Sequence, residues 1–588
     1  MADKASGVYL TITDNSIQTS GGVQMKVVVP MRTLKGDLGL NRVTATNFED
    51  ILGYDLNYNS NYYGLRNILS YVTYADVWRV NQNAYFGNAY VTKTTTEGVT
   101  TYSVSHETDL NDFDTLLENE DTNEVVLGTR YPTEANVNVR IRPAYKQVFF
   151  TSNATVTVST PDINFSSVYV DDGQISSAIK ICDLNGNVIA VVGSQGTGGI
   201  HQILDYYNHS VVLGTFQKNN DDTVTLTIYQ TLENNVANTI LAHGTMYRLD
   251  YFGHTDCTLQ TQNITNTSII NNYSFSLDEN SEDYWKNVDF GYDVQFFTKE
   301  TSYDDNKGLV QFQQWQQLSE GSVGDGIEDL LALDTSVLDS SGDNILAFNG
   351  YTTDTSIINK ILTKCESLKI HAFVDAPAYK EYSKLLEWKQ GVYATEYASI
   401  GCRPDVVNGI YVYPSVSYVQ IYSNMMSKQG NLNYPPAGIT YGTIPTSNLL
   451  TCDYEMYADE MKTNRLNWQR IKSNTAVMWE QRTTYGLNSD LSYIAPTFII
   501  DDLSQRLIDF ESNFNFRYMT RDDILLQQTG LTSILDEFVS NNFLYSYELK
   551  MPTYEEAQKG GRTLNIPINV VIMKDSEVIY INLQLNNA

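Results

Sequence analysis

A chain of 588 residues is long enough for two to four domains, and a hydrophobic content of 42% is sufficient for several cores. The formal net charge of -31 argues against phosphate-backbone binding, which needs a basic surface. The five cysteines are widely spaced and form no CxxC pair, which is typical of reduced thiols. We find neither a signal peptide nor an apolar run long enough to cross a membrane.

The first twenty residues predict an extended terminal strand. Apolar side chains alternate with polar or aromatic ones, which is the period-two pattern of a half-buried strand. The residues in question are Val8, Tyr9, Leu10 and Ile12. No obvious partner strand follows nearby in the sequence.

Residues 25–95 predict an α/β unit. A short buried strand at 25–31 precedes a loop that contains Gly36 and Gly39, and apolar residues at helical spacing follow over 65–72. Tyr74 begins the next predicted strand. This order of elements indicates a β-α-β arrangement.

From residue 96 to residue 335 the pattern changes. Short strand candidates alternate with turns rich in Gly, Asn and Asp, and helical periodicity is scarce. These features predict an inserted all-β region of one or two subdomains.

The α/β pattern returns at Ile345. A strand there is followed by a helix for which Asp354 is the predicted cap, and by a second strand at 370–375. A further strand is predicted at 409–414. We expect these elements to form one discontinuous domain with residues 25–95.

Two helices precede the C-terminal strands. An amphipathic helix is predicted at 497–514, and Thr520 with Asp523 resembles a capping box that opens a second helix. Leu531 and Phe538 lie on the apolar stripe of that second helix.

Two alternating apolar runs end the chain, separated by the polar residues 574–577. The first run covers 564–572, and the second consists of Ile579, Ile581, Leu583 and Leu585. A strand this close to a terminus needs a sheet, either its own or that of a neighbour. Donation of a strand to a neighbouring sheet edge is an established assembly mode.

The search for catalytic chemistry finds little. The sequence contains no GxxxxGK[ST], GxSxG or HExxH motif. The glycines of 193–199 and the segment 183–187 are interpreted as turns, and His371 is interpreted as a buried strand residue. We interpret His243, His254 and Cys257 as unrelated residues rather than metal ligands. We therefore expect no enzyme activity, no catalytic residues, no metal and no cofactor.

The order of the predicted elements resembles the contractile tail sheath family of phages and related injection machines. Nine blocks occur in the family's order, with Ser6 in place of a usual proline and Asp575-Ser576 in place of another. The blocks lie in 6–16, 27–55, 74–80, 344–377, 408–416, 434–442 and 561–585, and the second range contains three of them, a strand, a loop and a helix.

The resemblance implies an α/β (α+β) sheath core that is discontinuous, with an inserted all-β region and terminal β-strand arms. The implied segments follow one another along the chain. They are an N-terminal arm at 1–20, a first core segment at 21–95, an outward-facing β-rich insertion at 96–335, a second core segment at 336–515, a C-terminal domain facing the tube at 516–577 and a C-terminal arm at 578–588.

The resemblance also implies a function. The subunit would polymerise helically, as stacked hexameric rings, around an inner tail tube and contract to drive that tube through the host envelope. Val8, Tyr9, Leu10 and Ile12 of one arm and Ile579, Ile581, Leu583 and Leu585 of the other would enter neighbouring subunits. Arg517 and Arg521 are the implied tube contacts.

The implied partners are other copies of the chain, the tail tube protein, and the baseplate and tail terminator proteins. Nucleic acid binding and membrane insertion are not expected. The implied location is the tail sheath of a phage virion, assembled in the host cytoplasm. The alternative is a baseplate, fibre or adhesin-type structural protein in which the β-rich region binds carbohydrate.

Overall fold

The computed structural model describes residues 25–575 with internal gaps, and the chain divides into two compact units. One unit contains residues 1–82 and 326–588, and the other contains residues 83–325. The gaps are 54–58, 119–122, 135, 165–168, 172–173, 177–178, 196–198, 230–240, 265–266, 292–293, 305–306, 320, 325–329, 331–332, 447, 473, 518 and 560–562.

The first unit opens with three strands and two helices. They are β1 Val27–Met31, β2 Leu40–Val43, α1 Phe48–Leu52, α2 Asn59–Leu69 and β3 Ala75–Arg79. Strands β1 and β3 pair in parallel, which requires the helical crossover between them.

The second unit consists mainly of strands. Its elements are β4 Asn88–Thr96, β5 Val99–Ser105, α3 Asp114–Glu118, β6 Asn123–Thr129, β7 Val137–Thr151, β8 Thr155–Ser159, β9 Tyr169–Asp171, β10 Gln174–Ser176, β11 Ile179–Cys182, β12 Val188–Gln195, β13 Ile200–Asp205, β14 Val212–Lys218, β15 Thr223–Ile228, β16 Met246–Asn263, β17 Ile270–Ser276, β18 Val294–Thr298 and β19 Gln316–Gln317.

The first unit then resumes with alternating strands and helices. These elements are β20 Ile345–Ala347, α4 Thr355–Leu368, β21 His371–Asp375, α5 Tyr382–Lys389, β22 Ala398–Cys402, β23 Asp405–Val407, β24 Ile410–Val412, α6 Pro414–Gln429, α7 Gly438–Tyr441, β25 Thr443–Ile444, α8 Ala458–Thr463, β26 Leu466–Lys472, β27 Thr475–Met478, α9 Ile494–Ser512, α10 Arg521–Ser540, β28 Leu544–Leu549, α11 Tyr554–Lys559 and β29 Ile568–Ile572.

A mainly parallel sheet organises the first unit, in the strand order β2-β3-β1-β20-β21-β22-β26-β27-β25. Strand β1 pairs in parallel with β20, so the two distant segments of the chain share one sheet. Side chains of α2 and α6 pack on one face, and side chains of α4, α5 and α8 pack on the other. The predicted discontinuous α/β arrangement of these segments is thus present.

Helix α4 begins where Asp354 predicts it. The side chain of Asp354 accepts a hydrogen bond from the Ser356 N–H at 2.7 Å, and Ile358, Ile361 and Cys365 are buried. Local capping chemistry and apolar spacing were sufficient to locate this helix.

Two strands differ from the prediction. Leu40–Val43, for which no strand was predicted, forms β2 and pairs antiparallel with β3. Arg42 donates two hydrogen bonds of 2.8 Å to the carboxylate of Asp76, and this ion pair joins the two strands. Strand β24 forms in its predicted place but pairs only with β23, apart from the main sheet.

The second unit contains a ten-stranded and a four-stranded antiparallel sheet, and β4 belongs to the latter. The strand Asn88–Thr96 therefore lies in this unit, although the predicted insertion begins only at 96. The long strands β7 and β16 are interrupted where Gly253–Asp256 bulge between the pairs Phe252–Tyr145 and Cys257–Pro143. Two separate apolar clusters lie along this strand pair.

None of the helices formed by the described residues is long and apolar enough to cross a membrane.

Candidate assembly site

The C-terminal region of the first unit contains a sheet of only two strands, β28 and β29. They pair antiparallel, with Leu544 opposite Ile572 and Leu549 opposite Ile568. Among the described residues, each strand has a hydrogen-bonded neighbour on one side only. A two-stranded sheet leaves two rows of unpaired backbone groups, which can accept further strands.

Helices α9 and α10 cover one face of this sheet. The shared core includes Ile499, Leu503, Leu507, Leu531, Leu535, Phe538, Phe543, Leu544 and Ile572. Packing against helices gives a short hairpin stability that it lacks alone. The helices therefore hold the two strands in place, and no other described strand pairs with their outer edges.

The opposite face of the sheet is exposed. Tyr545 retains 69% of its accessible surface and Val571 retains 51%. These side chains alternate with the inward residues Leu544 and Ile572, as expected for a sheet with one packed face. Strand β28 was not predicted, because its outward Tyr and Ser residues obscure the alternation of apolar side chains.

The start of α10 is fixed by the predicted capping box, which is confirmed. The Thr520 hydroxyl accepts a hydrogen bond from the Asp523 N–H at 3.1 Å, and the Asp523 carboxylate accepts one from the Thr520 N–H at 3.1 Å. Hydrogen bonds to Thr520 hold the pKa of Asp523 below its ordinary value.

Both predicted tube-contact residues lie near this helix start, and each already has a partner within the chain. Arg517 forms an ion pair with Asp523 at 3.2 Å, and Arg521 forms one with Glu555 at 3.3 Å. Both arginine side chains are at least half exposed. Exposed ion pairs of this kind bind weakly, so either arginine remains able to contact a second molecule.

Phe516 is an unexpected feature of the same loop. Its φ of 62° places it in the left-handed region, and its side chain is 86% exposed. A bulky residue in this conformation is strained, and such strain often marks a functional position. Leu525 and Leu526 in the first turns of α10 are also exposed. Sequence periodicity gave no indication that these three apolar residues face outwards.

Both predicted arms lie outside the described residues. This applies to Val8, Tyr9, Leu10 and Ile12 and to Ile579, Ile581, Leu583 and Leu585. Asp575 lies three residues beyond β29, and its carboxylate accepts a hydrogen bond from Gln481 Nε2 at 2.7 Å.

His371 is a buried strand residue, as expected. Its Nε2 lies 2.9 Å from Ser399 Oγ, and burial lowers its pKa to about 3. The imidazole is therefore neutral at physiological pH and is inaccessible to a substrate. Asp183 accepts hydrogen bonds from Asn185 and Asn187, which confirms a turn at 183–187. No group of three or more potential metal ligands occurs among the described residues.

Two buried carboxylates mark the ends of the main sheet. Asp375, at the end of β21, has a pKa raised to about 6 by burial. Asp343, two residues before β20, has a pKa raised to about 7 by burial and by the nearby charge of Asp76. Asp375 accepts hydrogen bonds from the backbone of Gly350 and Ser415, so its role is to join loops.

Several solved sheath structures resemble this chain. The sheath tail protein of Desulfitobacterium hafniense is 9% identical, with 92% of this chain and 93% of that chain covered and a TM-score of 0.43. The sheath tail protein Lin1278 of Listeria innocua is 10% identical, with coverages of 95% and 97% and a TM-score of 0.45.

The sheath complex of an extracellular contractile injection system in the contracted state is 14% identical, with coverages of 44% and 73% and a TM-score of 0.36. No model of a known protein family matches the chain, and no curated protein matches it. The structural neighbours of this chain are tail sheath proteins, and the two crystal structures cover most of its length.

Proposed function

We propose that this protein is the structural subunit of a phage contractile tail sheath. In this proposal the subunit polymerises helically around an inner tube, and its contraction drives the tube through the host envelope. The observation that carries the proposal is the β28–β29 sheet, in which each strand has only one hydrogen-bonded neighbour among the described residues, in a chain with two apolar terminal segments. The collinear order of the nine sequence blocks supports the same function.

Strand exchange is the proposed link between subunits. An arm that adds to an open edge makes backbone hydrogen bonds, and its alternating apolar side chains complete the face packed on α9 and α10. A head-to-tail contact that does not close on itself generates an open helix. Subunits joined through flexible linkers can rotate while the exchanged strands remain paired, so the assembly can shorten without dissociating.

The energy for contraction is proposed to come from the assembly itself. A metastable extended sheath releases free energy as new interfaces form, so no nucleotide is required. The second unit is proposed to be the outward-facing insertion of this sheath.

Truncation tests the strand exchange. Removal of residues 1–16 or 578–588 is expected to leave a folded monomer that forms no tubes in negative-stain electron microscopy. A sharper pair of variants is Leu10→Lys with Ile12→Lys, compared with Thr11→Lys with Thr13→Lys. The first pair places charge on the apolar face and is expected to abolish assembly, whereas the second leaves that face intact. Tubes that form equally well with all these variants would refute strand exchange.

The α9–α10 loop is proposed as the tube contact, through Arg517 and Arg521 with Phe516 beside them. Reversal of both charges, as Arg517→Glu with Arg521→Glu, is expected to yield sheaths assembled without tube. Lys559→Glu in α11 is a matched control for added negative charge in the same region of the chain. Normal tube packaging by the double variant would exclude these arginines.

A baseplate or adhesin-type protein is the second candidate, and one observation in the second unit favours it. Tyr206 and Tyr207 stand edge-to-face with ring centroids 5.2 Å apart, and Tyr207 is 84% exposed. Two neighbouring exposed aromatic rings suit stacking on sugars. Concentration-dependent formation of long striated tubes by the recombinant protein supports the sheath, whereas closed trimers support the adhesin.

A further inference from the structure

Gln481 joins the last described residue of the chain to the main body of the first unit. Its side chain is buried, with 3% of its surface exposed. Nε2 donates to Asp575 Oδ2 at 2.7 Å, and Oε1 accepts from the Ala495 N–H at 3.3 Å. The backbone carbonyl of Gln481 also accepts from the Ile494 N–H at 3.0 Å. Both the nitrogen and the oxygen of the side-chain amide are therefore hydrogen-bonded.

The loop that carries Gln481 is itself held firmly. The next residue, Arg482, donates its N–H to Asn467 Oδ1 at 2.6 Å, and Asn467 Nδ2 donates to the Arg482 carbonyl at 2.8 Å. Asn467 is fully buried in β26 of the main sheet. The guanidinium of Arg482 also lies over the ring of Tyr493, 4.1 Å from its centroid. These contacts consequently hold Gln481 in one position in the first unit.

Asp575 lies where the chain leaves the two-stranded sheet. Met573 still pairs with this sheet, because its N–H donates to the Phe543 carbonyl at 3.0 Å. Two residues later, the exposed Asp575 has its carboxylate attached to Gln481. Here one carboxylate oxygen is engaged by a residue 94 positions away.

We propose that Gln481 is a positioning residue for strand exchange. By holding Asp575, it fixes the point and direction from which the C-terminal segment departs. This inference rests on the proposed sheath function and adds to it the residue that anchors the start of the C-terminal segment.

Variants that first disrupt and then reverse the Gln481–Asp575 hydrogen bond test the inference. Gln481→Glu keeps an acceptor for the Ala495 N–H but sets a carboxylate against that of Asp575. We expect the critical concentration for tube formation to rise about tenfold, which corresponds to about 1.4 kcal/mol of assembly free energy. Adding Asp575→Asn restores the hydrogen bond in the reverse direction, because the new amide at position 575 donates to the new carboxylate at position 481. The double variant is expected to return to within about threefold of wild type, a rescue that a general loss of packing would not show.

Exposed residues supply the remaining variants, so the test does not depend on a buried substitution. Asp575→Ala removes the acceptor and is expected to impair assembly as Gln481→Glu does. Asp575→Asn alone keeps an oxygen acceptor and is expected to resemble wild type, as is Lys574→Ala at the neighbouring exposed position. If Asp575→Ala assembles at the wild-type concentration, the inference is wrong while the sheath function stands. If wild type itself forms no tubes, the sheath function fails and the inference fails with it.

Discussion

The buried carboxylate of Asp375 accepts two hydrogen bonds from Ser415, one from its N–H at 2.8 Å and one from its hydroxyl at 2.6 Å. Asp375 ends β21, and Ser415 lies in the first turn of α6. A third hydrogen bond comes from the Gly350 N–H at 2.8 Å, after β20. One side chain thus ties together two strand ends and a helix start.

Substitution of Asp375 should destabilise the first unit. Asp375→Ala leaves two buried N–H groups and a hydroxyl without their acceptor, so we expect a loss of about 2–4 kcal/mol in the free energy of unfolding. Denaturant titration followed by tryptophan fluorescence measures the effect. Asp375→Asn retains one acceptor oxygen and should lower the free energy of unfolding by less than the alanine substitution does. Equal stability of the alanine variant and wild type would show that these bonds contribute nothing.

Asp343 should make stability depend on pH. Its folded pKa of about 7 exceeds the ordinary value of 3.8, so the folded state binds the additional proton between these limits. Stability should therefore fall as pH rises from about 4 to about 7. The neighbouring Asp76 opposes ionisation, whereas Arg42 and Lys26 favour it.

Asp343→Asn should remove this dependence. The neutral amide cannot ionise, so the variant should gain thermal stability relative to wild type at pH 8 and not at pH 4. Glu49→Gln, at an exposed position, is the control for loss of a negative charge. Parallel stability profiles of wild type and Asp343→Asn across this pH range would contradict the assignment.

Phe516 should be replaceable by glycine with a gain in stability. Glycine tolerates the φ of 62° that costs an L-residue about 1–2 kcal/mol, and little burial is lost because the side chain is exposed. Phe516→Gly should slow hydrogen exchange at the α9–α10 loop while weakening tube packaging. Phe516→Ala keeps the backbone strain and should affect only packaging. A loss of stability with glycine would show that Phe516 stabilises the subunit itself.

The second unit should fold alone. Residues 83–325 carry their own apolar clusters, so this fragment should show a cooperative thermal transition. Replacement of the unit by a short Gly-Ser linker should leave the first unit folded, because Val80 and Leu333 lie in one apolar cluster on either side of the insertion. Aggregation of both products would argue against two independent units.

Local sequence was sufficient to predict the elements whose determinants lie within a few residues. Asp354 caps α4, and Thr520 with Asp523 caps α10, because capping needs only neighbours along one turn. Buried strands such as β21 were evident from continuous apolar runs. The same logic identified 183–187 as a turn, since its hydrogen bonds join residues two to four apart.

Tertiary pairing decided the remaining elements and most of the candidate site. Strand β2 forms because it pairs with β3, with Arg42 joined to Asp76, and β28 forms because β29 lies beside it with helices behind. The exposed Phe516 and the Gln481–Asp575 bond depend on chain segments that only folding brings together. The sequence by itself determined the elements with local caps or continuous apolar runs, and the apolar character of both termini. Only the tertiary structure decided which strands have a single neighbour among the described residues, because an edge is defined by the strands beside it and not by its own residues.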